Sequence, residues 1–163
     1  MAKQYPGLRP GRSLRLYEAI IDSIIKQRIA LKAALRIQSR LITSYGEHVS
    51  IGREVFYSFP DPERLISLSL DRLRRIGLTR MKAQAIKNIA MTEYEGRLPS
   101  VEEIEQAEEL SSIVKELTRL KGVGPWTAEL AIAQVHPLFP LGPRTDLAVR
   151  RGFKNYWGYR MRP

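Results

Sequence analysis

The sequence predicts an all-α fold, a compact bundle of short helices. Three observations carry that reading. Apolar residues recur at helical spacing along nearly the whole chain, and no stretch alternates with period two for long enough to demand a sheet. The 163 residues, 44% of them hydrophobic, suit one domain with one sizeable core. Residues 1–163 are therefore read as a single domain, with 1–13 as an irregular lead-in shaped by two Pro-Gly-type turns.

The elements follow in order. Leu14, Tyr17, Ile20, Ile21, Ile24 and Ile25 share one helical face, with Ser13 as the cap. Ala30, Ala34, Ile37, Leu41 and Ile42 mark a second helix that Tyr45-Gly46 ends. Asp61 caps a short helix with Pro62 at its first position, and Asp71 caps another that ends at Ile76-Gly77. Thr79 caps a long helix through Met81, Ala85, Ile86 and Ile89. After the turn around Gly96 to Pro99 come Val101–Ile104, an acidic patch, and a helix from Ser111 to Leu120. Two more helices run from Pro125 to about Gln134 and from Thr145 to about Phe153.

Composition narrows the function. The chain has no Cys, which excludes a disulfide scaffold, a zinc ribbon, an iron–sulfur cluster and cysteine catalysis. His48 and His136 are the only imidazoles, too few for a histidine-rich metal site. No apolar run approaches membrane-spanning length and the N-terminus does not begin as a signal peptide, so a cytoplasmic protein without a membrane partner is expected. The net charge is +10, and Arg outnumbers Lys 19 to 8. Eight acidic and two basic residues lie between Glu93 and Glu116, which leaves the rest of the chain more basic still. Guanidinium groups grip phosphate bidentately, so the surface calls for a polyanionic partner.

The most informative stretch is Leu120-Lys121-Gly122-Val123-Gly124-Pro125-Trp126-Thr127-Ala128. A helix ends, two glycines flank one apolar residue, and a new helix begins with Pro125 in its first turn. Gly122 and Gly124 permit positive φ and close approach of a partner to the backbone. Val123 between them is expected to point inward. The N–H groups opening the next helix then form an anion site, with Lys121 and the Thr127 hydroxyl beside it.

This hairpin resembles that of the helix-hairpin-helix (HhH-GPD) DNA glycosylases, and the likeness continues on both sides. Phe139 to Arg151 is similar to the family's Gly/Pro-rich loop ending in an aspartate, here Asp146, twenty residues after Trp126. Tyr17 to Gln27 resembles the opening helix with its glutamine turn, and Leu73 to Ala83 the middle helices. Ile76-Gly77-Leu78 also echoes Val123-Gly124-Pro125, as a weak internal duplication would. The chain is most similar to the 3-methyladenine DNA glycosylase II type, from Leu8 to Gly152.

The resemblance implies a set of expectations. The activity is hydrolysis of the N-glycosidic bond of an alkylated base in double-stranded DNA, in base excision repair at the nucleoid. Asp146 is the catalytic carboxylate, although Thr145-Asp146 at a helix start equally suits a cap. Family members that also nick DNA carry a lysine just before the hairpin's T-A; Trp126 stands there, which implies a monofunctional enzyme. Trp126, Tyr156, Trp157 and Tyr159 are expected to wall the base pocket. Gln27 and Arg28 are the wedge candidates that fill the gap left by the flipped nucleotide, and Lys121, Gly122, Val123, Gly124 and Thr127 complete the DNA surface. The carbonyls of Thr118, Leu120 and Val123 would hold a structural Na+ or K+, and no other cofactor is required. Against the family pattern, an early stop after the catalytic helix and the absence of an N-terminal sheet domain are expected. A non-catalytic DNA-binding module, or a uracil, mismatch or hypoxanthine glycosylase, is the alternative.

Overall fold

A computed structural model describes residues 13–136 and 146–157, except the side chains of Leu147, Ala148, Phe153, Tyr156 and Trp157. Helix α1 (Leu16–Lys26) is apolar almost all round, and every residue from Tyr17 to Ile25 except Glu18 is buried. A helix with no solvent face belongs at the centre of a bundle. It packs against α5 (Arg80–Tyr94) and α8 (Pro125–Val135), and more lightly against α2 (Leu31–Tyr45). Tyr17 fixes its start: the phenol donates to the Pro60 carbonyl at 3.1 Å, and Phe59 meets the ring edge-on at 5.6 Å. Ser13 is not the cap. The N-cap is Arg15, and the Ser13 N–H donates to Gln134 O at 2.8 Å.

Helix α2 turns only Ala34 and Leu41 fully inward. Gly46 ends it with φ −74°, so the glycine is not there for a left-handed turn. A Cβ on Gly46 would lie 2.0 Å from the Ser58 carbonyl oxygen, and only glycine lets the chain return so close. The segment between Gly46 and Ser58 departs from the all-α expectation. It forms an antiparallel hairpin of β1 (His48–Ile51) and β2 (Glu54–Tyr57), with Ile51 opposite Glu54 across Gly52 and Arg53. Gly52 takes φ 63° at the first central position of that two-residue turn. Both strands are exposed throughout, so no inside–outside alternation marks them.

Helices α3 (Pro62–Ser67) and α4 (Leu70–Arg75) bury Leu65 and Leu73 beside α5. Asp61 holds the N-cap position of α3 without a side-chain capping bond; its carboxylate pairs with Arg15 at 3.7 Å. The cap of α4 is Ser69 rather than Asp71. Ser69 Oγ accepts from Arg72 N–H, while Asp71 sits in the first turn and pairs with Arg74 at 3.3 Å. Thr79 does cap α5, accepting from Lys82 N–H. Helix α6 (Val101–Gln106) opens with a capping box between Ser100 and Glu103, and α7 (Leu110–Leu117) leads into the hairpin before α8. Backbone and hydroxyl hydrogen bonds from Ser100 hold the exposed Glu103 carboxyl below its usual range. That contribution is complete above the ordinary carboxylate pKa and is lost as the pH falls through the lowered folded value. Helix α9 (Leu147–Trp157) begins immediately after Asp146.

The internal echo is present but out of the expected register. Gly77 takes φ 110° and Gly122 takes φ 97°. Each is followed by a buried residue, Leu78 or Val123, and then by a helix N-cap, Thr79 or Gly124. Gly77 therefore corresponds to Gly122, not Gly124.

Candidate functional site

The α7–α8 hairpin sits on the core through one side chain. Val123 is 5% exposed, and its N–H donates to Leu120 O at 3.0 Å. Gly122 curls the chain ahead of it, and a Cβ there would lie 2.4 Å from the Ala85 Cβ. That contact puts the hairpin directly against α5. Gly124 differs from the sequence expectation. Its φ is −96° with ψ 175°, extended backbone open to any residue, and a Cβ would meet nothing within 4 Å. It leaves open space beside the backbone and begins α8 without a capping side chain.

The first α8 bond runs from Ala128 N–H to Gly124 O at 3.0 Å. Pro125 has no N–H, so the amides of Trp126 and Thr127 precede that bond at the positive end of the helix dipole. Gly122 and Lys121 are exposed beside them. The Thr127 hydroxyl does not join this surface. Thr127 is 2% exposed, and its Oγ1 accepts from Gln27 Nε2 at 2.9 Å, so it braces the hairpin from inside.

Gln27 and Arg28, both candidates for the wedge, have different positions. The Gln27 amide also donates to Gly122 O at 3.0 Å, which ties the end of α1 to the hairpin and turns this side chain inward. Arg28 is exposed and takes φ 52°, a region that non-glycine residues seldom occupy. The turn is further held by Lys82, which sequence reasoning did not single out. Its Nζ donates to Ile25 O and Gln27 O at 2.8 and 2.7 Å. Backbone carbonyls leave no residue signature, so spacing alone could not have revealed this brace.

Asp146 and Trp126 meet across twenty residues. Trp126 Nε1 donates to Asp146 Oδ2 at 2.9 Å. The other oxygen, Oδ1, accepts from Val149 N–H at 3.0 Å, which caps α9. The two readings of Asp146 are thus compatible: one oxygen caps the helix, and the carboxylate as a whole is aimed by an aromatic donor from the hairpin helix. Tyr156 and Trp157 are the last residues of α9, but their side chains, like all of Tyr159, lie outside the described residues.

Thr118, Leu120 and Val123 follow one another around the turn after α7. The Leu120 carbonyl already accepts the Val123 N–H. A carbonyl has two lone pairs, so a weakly bound monovalent cation is compatible with that bond. Among the described residues there is no group of three or more His, Asp or Glu able to hold a metal ion. No helix among them is long and apolar enough to cross a membrane.

Comparison with known proteins identifies the family and relatives of the same fold. The family described as HhH-GPD superfamily base excision DNA repair protein matches residues 21–163. DNA-3-methyladenine glycosylase 1 of Schizosaccharomyces pombe is 29% identical over 161 residues, covering 94% of this chain and 64% of that protein. DNA-3-methyladenine glycosylase 2 of Escherichia coli is 30% identical over 125 residues, covering 76% of this chain and 42% of that protein. The structure of a 3-methyladenine DNA glycosylase from Archaeoglobus fulgidus superimposes with a TM-score of 0.81 at 29% identity, covering 99% of this chain and 54% of that one. The chain thus spans between 42% and 64% of the length of these relatives.

Proposed function

The chain belongs to the HhH-GPD superfamily of base excision DNA repair proteins, and on that premise we propose that it is a monofunctional DNA glycosylase for alkylated, 3-methyladenine-type bases. The observation that carries this reading is the Asp146 carboxylate held by the Trp126 indole at the mouth of the hairpin helix. Residues 1–163 act as one glycosylase domain on damaged double-stranded DNA in the cytoplasm, at the nucleoid. The names of the relatives support the substrate class.

The chemistry follows from the site. The hairpin amides and Lys121 grip a backbone phosphate, and the damaged nucleotide swings out of the duplex. An alkylated purine already carries positive charge and stacks well on a π-face, which Trp126 supplies. As the C1′–N bond breaks, the electron pair leaves with the base and positive charge builds on the sugar. The Asp146 carboxylate faces that charge and stabilises it. Water adds to C1′ and gives up a proton, leaving a free base and an abasic site. Trp126 Nε1 and Val149 N–H each donate to one carboxylate oxygen and so fix its orientation. The Thr118, Leu120 and Val123 carbonyls would hold a Na+ or K+ that stiffens the turn, and no organic cofactor enters the reaction.

Two predictions test parts of this reading. Trp126 occupies the position at which a lysine would form a Schiff base, and Lys121 lies on the exposed turn five residues earlier. Borohydride should therefore trap no covalent protein–DNA adduct, and strand breaks should appear only after alkali. A trapped adduct in good yield contradicts the monofunctional assignment. The second concerns affinity. If the basic surface makes about 6–10 phosphate contacts, binding to any duplex should weaken by roughly 10³- to 10⁵-fold between 50 and 200 mM salt. A flat salt titration contradicts a phosphate-gripping interface.

A further inference from the structure

Lys82 stands outside both the hairpin and the Asp146–Trp126 pair, yet it is bound to the turn that carries Arg28. It projects from the first turn of α5, and its hydrogen-bond partners are the carbonyls of Ile25 and Gln27, at 2.8 and 2.7 Å. A lysine on the last carbonyls of a helix is ordinary, because those groups lack partners and sit at the negative end of the dipole. The second bond is less ordinary. Gln27 lies beyond the end of α1, and its carbonyl belongs to the peptide unit that supplies the N–H of Arg28. Fixing that carbonyl fixes the plane about which the Arg28 φ is measured.

Arg28 is the one non-glycine residue with positive φ among the described residues. Such conformations persist where the surroundings over-determine them, and they gather at functional sites. Two independent ties flank this one. Lys82 holds the Gln27 carbonyl, and the hairpin holds the Gln27 amide through Gly122 O and Thr127 Oγ1. Burial lowers the Lys82 ammonium from the ordinary lysine range, so its place among carbonyls comes at the expense of hydration. What these bonds leave projecting is the exposed Arg28 side chain.

We infer that Lys82 is a positioning residue for base flipping, holding the Gln27–Arg28 turn in the shape that aims Arg28 into the gap left by the extruded nucleotide. The inference rests on the glycosylase reading above and assigns a role to a residue outside its chemistry. Lys82 acts through the turn and touches neither the base nor the sugar. Its loss should therefore matter most where extrusion is hard, and little where the base is already unstacked.

The test uses the full chain with Lys82→Met, similar in length and unable to donate. A duplex with 2-aminopurine at the target position reports flipping by its fluorescence, independently of bond cleavage. Lys82→Met should lower the flipping signal and the excision of a paired alkylated base by roughly 10²-fold. Excision of the same lesion opposite an abasic site should fall only a few-fold, because unstacking costs little there. Lys82→Arg, which keeps donors for both carbonyls, should restore the paired-lesion rate. In an Arg28→Ala background Lys82→Met should add little, since both changes act through one turn. If Lys82→Met does not fold, Lys82→Gln replaces it, with a smaller loss in the same pattern. Equal losses on both substrates, additive losses in the double variant, or no loss at all overturn the proposal. A wild-type chain that flips aminopurine but excises no lesion counts against the glycosylase reading and leaves the flipping comparison decisive for Lys82. One that does neither overturns both.

Discussion

Asp146→Asn is expected to slow excision of an alkylated base by roughly 10²- to 10³-fold or more while the protein stays folded and keeps its affinity for abasic-site DNA. The carboxylate meets positive charge that exists only as the glycosidic bond breaks, so the loss belongs to the chemical step and not to binding. The geometry adds a complication with a built-in control. Asp146 accepts two N–H groups, one on each oxygen, from Trp126 and Val149. Asparagine has one acceptor, so it can keep the α9 cap but must then set its NH₂ group against the indole N–H. That mismatch should cost about 1–3 kcal/mol of stability, visible as a lowered melting temperature. Trp126→Phe removes the indole donor, keeps a ring, and should return much of that stability in the Asp146→Asn background. If the double variant melts normally and still excises far more slowly than Trp126→Phe alone, the missing element is charge. If excision returns with stability, Asp146 is a structural cap and the catalytic assignment falls.

The two hairpin glycines should respond in opposite ways. Gly122→Ala places a Cβ 2.4 Å from the Ala85 Cβ at φ 97°, so both the contact and the backbone are wrong for alanine. A loss of roughly 2–4 kcal/mol is expected in denaturant unfolding. Ala85→Gly should recover the part due to the contact and leave the part due to φ. Gly124→Ala finds ordinary extended φ and open space, so stability should hardly change. If the hairpin grips a backbone phosphate as proposed, the added methyl obstructs that approach, and affinity for damaged and undamaged duplexes alike should fall. An unfolded Gly124→Ala protein, or one that binds DNA normally, contradicts an outer-face role for this glycine.

The legible parts of the sequence were those with a local cause. The spacing of Ile20, Ile21, Ile24 and Ile25 marked α1, Thr79 announced α5, and Val123 between two glycines had to point inward. The misread parts depended on distant partners or on near-equal local choices. Ser69 and Asp71 are both good caps, and only the position of the α4 backbone separates them. The strands at His48–Ile51 and Glu54–Tyr57 are four residues each and exposed on both faces, so burial left no period in them. Neither Gly46 nor Gly124 has a positive φ: at Gly46 the Ser58 carbonyl leaves no room for a Cβ, and at Gly124 the space is open. At the candidate site, Asp146 and Trp126 were each singled out through family resemblance. Their hydrogen bond was not visible, because it joins two helices twenty residues apart. In sequence Gln27 and Arg28 form one motif, and only the inward bonds of the Gln27 amide divide a brace from an exposed arginine.

Removal of alkylated bases from duplex DNA is tested by incubating the purified chain with duplexes carrying a single 3-methyladenine-type lesion, followed by alkali and separation of the strands. Alkali-dependent cleavage at the lesion position and free alkylated base in solution are expected, with both products forming far more slowly with Asp146→Asn. Tight, salt-sensitive binding to the same duplex with no free base and no alkali-labile site contradicts base removal, and identifies a DNA-binding module instead.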